Sequence, residues 1–145
     1  MTKNYLTEDE ITEILSDHLI GSGWEIVSRA KGNNRGADIV AKKNDKIICI
    51  EAKGGGSQLP TSKRYGQSFT RLQCQIHTDV AFACLPRMKT RYRPDFIGLA
   101  LPDDEYHFES VSEILHAIKK LGAGLWLVGK DGVRELVEPD QQTEQ

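Results

Sequence analysis

Asp38, Glu51 and Lys53 are the residues of this chain whose types and spacing could do chemistry. They sit in two short apolar runs, residues 37–43 and 47–53, separated by Asn44-Asp45, a pair that favours tight hairpin turns. A two-residue loop at that point sets Lys43 against Lys46 and Asp38 directly opposite Glu51. Side chains alternate along a strand, so Asp38, Glu51 and Lys53 then share one face at one end of the hairpin. Opposed carboxylates repel unless a cation lies between them. With a lysine beside them, the set has the make-up of a hard-metal site with an ammonium next to it. A slip of one residue would send Asp38 to the other face, so the turn decides the reading. An ion pair between the carboxylates and Lys53 at the end of a sheet accounts for the same residues without a metal.

The elements that must position these groups follow from the apolar pattern. Val40, Ile47 and Cys49 fall on the carboxylate face of the hairpin, and Ala37, Ile39, Ala41, Ile48, Ile50 and Ala52 on the other. Strands apolar on both faces belong to a sheet with helices over each side. Charged groups are rare there unless paired or metal-bound. Upstream, Thr7 with Glu10 makes a capping box for a helix whose stripe is Ile11, Ile14, Leu15 and Leu19, closed by Gly21 and Gly23. Glu8 projects onto that stripe. A strand over 24–30 and a glycine- and asparagine-rich turn over 31–36 lead to Asp38. Downstream, Thr70 with Gln73 caps a second helix over 70–85, with Leu72, Ile76, Val80 and Ala83 as its buried stripe. A basic turn over 86–94, interleaved with Tyr92, offers a second phosphate contact and precedes a strand over 96–101. Ser110 with Glu113 opens a third helix, with Val111, Ile114, Leu115, Ile118 and Leu121 on one face. Strands over 125–128 and 133–137 complete a single domain spanning 1–139, and the polar tail, 140–145, reads as disordered.

Asp38, followed after twelve residues by Glu51-Ala52-Lys53, resembles the PD-(D/E)xK signature of the restriction-endonuclease-like nucleases. That superfamily includes Holliday-junction resolvases and type II restriction enzymes. Ala37 stands where the signature often has proline, and the resemblance covers residues 7–102. It implies an α/β fold: a mixed sheet flanked by helices, with core order helix, three strands, helix, strand, then an appended helix and strand. It further implies Mg²⁺ or Mn²⁺ held by Asp38, Glu51 and the Ala52 carbonyl, with Lys53 orienting a water or stabilising charge on the phosphate. Members of the superfamily carry an acidic residue on the first helix, matched here by Glu8, and a glutamine on the second long helix, matched by Gln73. Glu8 is equally explained by the preference of acids for a first helical turn, and Gln73 by its cap. The implied activity is a DNA endonuclease acting on double-stranded or branched substrates, as a homodimer if both strands are cut. An inactive DNA-binding relative and an unrelated α/β protein with a structural ion pair are the rival readings.

Charge is distributed unevenly. From residue 29 to 93 there are 14 Lys+Arg against 4 Asp+Glu, a net of +10, whereas the rest of the chain carries 5 against 17, a net of −12. A basic surface around a carboxylate site suits a polyanion, and it also suits a merely solvated face. Arg35, Lys63, Arg64 and Arg71 are the candidate phosphate contacts, with Tyr65 as a stacking ring. The segment 54–67, opened by Gly54, Gly55 and Gly56, reads as a substrate-binding flap that lets backbone approach a ligand closely. Cys49, Cys74 and Cys84 lack CxxC spacing and read as buried thiols of a reducing cytoplasm. With four scattered histidines they give no zinc-binding spacing. No run is long enough to span a membrane, and the first residues lack the basic-then-apolar layout of a signal peptide.

Overall fold

In a computed structural model, residues 3–29, 36–57 and 59–143 are described. Thr7 Oγ1 accepts the Glu10 N–H and the Glu10 carboxylate accepts the Thr7 N–H, so the expected capping box starts α1 (Glu8–Gly21). The strand expected over 24–30 is β1 (Glu25–Arg29). Residues 30–35, including Arg35, lie outside the described residues. Next come β2 (Ile39–Lys43) and β3 (Lys46–Ala52). Asn44 and Asp45 between them both take left-handed backbone, φ 51° and 64°, the mirror-image turn whose twist matches that of the strands. Lys43 pairs with Lys46 and Ile39 with Ile50, the register expected. Ala37, just ahead of β2, departs from strict alternation and packs with Cys49 and Leu85 rather than on the face with Ile39, because regular strand geometry begins only two residues later.

The second long helix, α2 (Arg71–Tyr92), runs through Pro86 instead of stopping at Leu85. Pro86 forfeits one helical hydrogen bond, but Leu85 and Met88 are buried on either side of it, and that packing holds the helix together. The turn expected over 86–94 is therefore mostly helix. The stripe assigned to α2 is also out of phase: Leu72, Ile76 and Val80 are 63%, 49% and 50% exposed, and the buried positions are Cys74, Thr78, Ala81, Leu85 and Met88, of which the last three pack on the sheet. Small residues make up the buried face in the first half of the helix, and counting only large apolar residues hides them.

After α2 come β4 (Phe96–Pro102), α3 (Glu105–Ser112), α4 (Leu115–Lys120), β5 (Gly124–Gly129) and β6 (Gly132–Val137). The third helix thus starts earlier than expected, capped by Asp104 rather than Ser110, and it breaks at Glu113–Ile114 into two. The tail is not free up to residue 143: the Asp140 N–H bonds Gly122 O at 2.9 Å and the Gln142 N–H bonds Asp95 O at 2.6 Å. Residues 144–145 lie outside the described residues.

The six strands form one sheet in chain order, β1 to β6. The β3–β4 and β4–β5 pairs are parallel and the others antiparallel. α1 covers one face, Ile11, Leu15 and Leu19 packing with Ile39, Ile48, Ile50 and Trp126. α2, α3 and α4 cover the other, Leu85, Val111 and Ile118 packing with Cys49, Ile97, Leu99 and Leu125. The fold is α/β, a mixed sheet flanked by helices.

Candidate active site

Three pieces of backbone converge at the end of the hairpin. Asp38 sits one residue before β2, and its Oδ2 accepts the Ala52 N–H at 2.7 Å, which ties the start of β2 to the end of β3. Glu51 is the next-to-last residue of β3, and Lys53 Nζ stands 3.5 Å from its Oε1. The Lys53 N–H bonds Ala100 O on β4 at 3.1 Å, so the backbone carrying the lysine is fixed. Gly54 then passes so close to the start of α1 that a Cβ on it would lie 2.5 Å from the Glu8 nitrogen. That contact, with the Gly55 N–H bonded to Leu6 O at 2.8 Å, delivers Glu8 to the carboxylates from the far side of the sheet.

Burial dominates the electrostatics. Glu8 is pushed up to about 7 by desolvation first and by the Asp38 charge second, with Lys53 opposing both. Desolvation also raises Glu51, with Asp38 adding to the shift and Lys53 reducing it. Asp38 is raised for the same leading reason, although the Ala52 N–H and the Lys53 ammonium favour its charged form. Three acids therefore crowd one ammonium in a poorly solvated corner. An all-oxygen donor set of this kind suits a hard divalent cation.

Other residues named from the sequence fare unevenly. The Gln73 side-chain oxygen accepts the Thr70 N–H at 2.8 Å, so it is spent on the cap of α2. In its place α2 offers His77, lowered by burial and then by Lys53, and Cys84, whose thiol is raised by burial and by Glu51. Arg71 pairs with Glu109 at 3.3 Å and lies over the Tyr106 ring at 4.9 Å, which ties α2 to α3. Lys63 and Arg64 are exposed and Tyr65 is half-buried. The glycines of the expected flap serve the fold instead: Gly54, Gly55 and Gly56 are buried against residues 5–8. Tyr5 Oη donates to Ser57 O and accepts the Gly66 N–H, strapping the loop down.

The basic segment read from the sequence as a second phosphate contact lines a cleft of about 120 Å³ together with Gly36, Glu51 and Cys84, through Arg87, Met88, Arg91 and Tyr92. What sequence reasoning missed is that this segment is helical and stands beside Glu51. Arg87 and Arg91 are one helical turn apart, a spacing that became legible only once α2 was known to continue past Pro86. Among the described residues neither arginine has an acidic partner.

No protein-family model and no curated protein matches the chain. Two solved structures are similar. A protein of unknown function from Silicibacter pomeroyi superposes with a TM-score of 0.56 at 13% identity, over 97% of this chain and 76% of that one. An XisH family protein from Nostoc punctiforme superposes with a TM-score of 0.46 at 19% identity, over 88% of this chain and 98% of that one. The first likeness extends to the fold alone. No described helix is long and apolar enough to cross a membrane.

Proposed function

We propose that the chain is a metal-dependent endonuclease hydrolysing DNA phosphodiester bonds at the Asp38–Glu51 end of the sheet. The observation that carries this reading is the convergence of three desolvated carboxylates on one lysine. The Lys53–Glu51 contact alone would be a structural ion pair, but among the described residues one ammonium faces three acids. Asp38 and Glu51 would hold Mg²⁺ or Mn²⁺, with the Ala52 carbonyl beside them. Such an ion supplies Lewis acidity and lowers the pKa of a bound water. Glu8, poised near neutrality, takes the proton that the attacking water gives up. The water oxygen bonds phosphorus, one P–O ester bond breaks, and the departing oxygen is protonated from solvent. Lys53 stabilises the negative charge that builds on the phosphate oxygens.

Arg87 and Arg91 grip a neighbouring backbone phosphate. Their cleft, about 120 Å³ and shared with Glu51, is where that phosphate would sit. Lys63 and Arg64 extend the basic surface, and two copies acting together would cut both strands. Incubation with plasmid, branched and single-stranded DNA, and with RNA, under Mg²⁺ or Mn²⁺ tests the reading. Cleavage is expected from the native protein and not from Asp38→Asn or Glu51→Gln. Salt-sensitive DNA binding without cleavage of any substrate would favour an inactive relative and overturn the enzyme.

A further inference from the structure

α2 brings Cys74 against the start of α3, where Asp104 and His107 stand three residues apart. One ligand atom from each lies within 4.8 Å of the other two. Asp104 Oδ1 accepts the His107 N–H at 2.8 Å, and both of its carboxylate oxygens stand 2.9 Å from His107 Nδ1. Cys74 is 2% exposed and His107 is 0% exposed. Both Asp104 oxygens face His107 Nδ1, so Nδ1 is the ring nitrogen that can share a cation with Asp104; the buried Nε2, on the opposite side of the ring, has no hydrogen-bond partner among the described residues. Next to the cluster opens a pocket of about 500 Å³ whose wall includes Cys74, Asp104, Phe69 and Tyr106. None of Glu8, Asp38, Glu51 or Lys53 belongs to this cluster or lines that pocket, so the group is distinct from the carboxylate corner.

We propose that Cys74, Asp104 and His107 form a binding site for Zn²⁺, separate from the hard-cation site at Asp38 and Glu51. A sulfur, a nitrogen and an oxygen are the ligand types zinc takes, and the sulfur selects against Mg²⁺. In a tetrahedral zinc site with bonds of about 2.0–2.3 Å, ligand atoms lie about 3.5 Å apart, so Cys74 Sγ, within 4.8 Å of the others, closes by at most about 1.3 Å while the Asp104–His107 Nδ1 pair opens slightly from 2.9 Å. Binding releases the Cys74 thiol proton to solvent. Three protein ligands leave a fourth position, which the adjoining pocket supplies with water or a small anion.

Metal-stripped protein titrated with Co²⁺ as a probe tests this through the thiolate-to-cobalt absorption band, with Zn²⁺ affinity measured by competition. Native protein should bind one Co²⁺ with a sulfur band that excess Mg²⁺ does not remove. Cys74→Ser should lose the band and bind Zn²⁺ at least about tenfold more weakly. Cys84→Ser, which changes the thiol near Glu51, and Asp38→Asn should both keep the band. Absence of the band in the native protein, its survival in Cys74→Ser or its loss in Cys84→Ser would each overturn the proposal. Should Cys74→Ser fail to fold, Asp104→Asn decides: it keeps a capping oxygen on an exposed residue. Unchanged Zn²⁺ affinity in that variant would equally overturn the site.

Discussion

Asp38 holds a backbone and carries a charge, and two substitutions separate these roles. Asn keeps an oxygen for the Ala52 N–H, now met at 2.7 Å, and removes the repulsion with Glu51 and Glu8. Metal-free Asp38→Asn should therefore be as stable as the native protein or more so, while Asp38→Ala should fall below Asp38→Asn by about 1 kcal/mol in urea unfolding. Mg²⁺ should stabilise the native protein by about 2.7 kcal/mol at a hundredfold excess over its dissociation constant, and neither variant. An Asp38→Asn protein less stable than native and indifferent to metal would sink the nuclease reading. Glu8 gives a pH test. Its folded pKa of about 7 lies above the ordinary 4.5, so the folded state keeps a proton that the unfolded chain releases. Stability must then decline as pH rises from about 4.5 to about 7. Glu8→Gln should flatten that decline, as urea midpoints across the range would show, and parallel curves would remove Glu8 from the corner.

At the scale of elements, the exit of β3 sets the position of α1. Gly54→Ala would drive a methyl group into the Thr7–Glu8 backbone, which cannot swing aside as a side-chain end can. The expected cost is about 1–3 kcal/mol, with weakened metal-linked stabilisation because Glu8 moves away. Thermal unfolding with and without Mg²⁺ measures both, and an unperturbed melt would show the contact to be slack. The phase of α2 is checked as directly. Leu85 is fully buried and Leu72 is 63% exposed. Leu85→Ala should cost about 2–5 kcal/mol and Leu72→Ala less than about 0.5. The reverse ranking would restore the stripe read from the sequence.

For the whole molecule, the question is whether the basic middle of the chain is one surface. If it binds DNA, affinity should fall steeply with salt, and each phosphate contact removed should lower the log–log slope by about 0.9. Arg87→Ala and Arg91→Ala, beside Glu51, should weaken both binding and cleavage. Lys63→Ala and Arg64→Ala should weaken binding and leave cleavage at saturating DNA nearly unchanged. Fluorescence anisotropy at several salt concentrations distinguishes these outcomes, and a flat salt response would reduce the block to a solvated face.

The sequence by itself determined what depends on neighbours along the chain. Asn44-Asp45 defined the turn, the turn defined the register, and the register set Asp38 against Glu51 before any tertiary contact was known. The Thr7 and Thr70 caps were legible for the same reason, since a cap is a contract among residues three apart. The tertiary structure decided what depends on distance. Gly54 was read as freedom for a ligand, but it is the room that α1 needs. Gln73 was read as a site residue, but its own helix cap claims it. Pro86 stopped the helix on local rules and failed to stop it once Leu85 and Met88 were buried. Cys74 and His107, thirty-three positions apart, show no metal spacing along the chain. They meet because the crossover from β4 returns α3 to the flank of α2, and side chains brought together by packing leave no pattern for a reader of sequence to find.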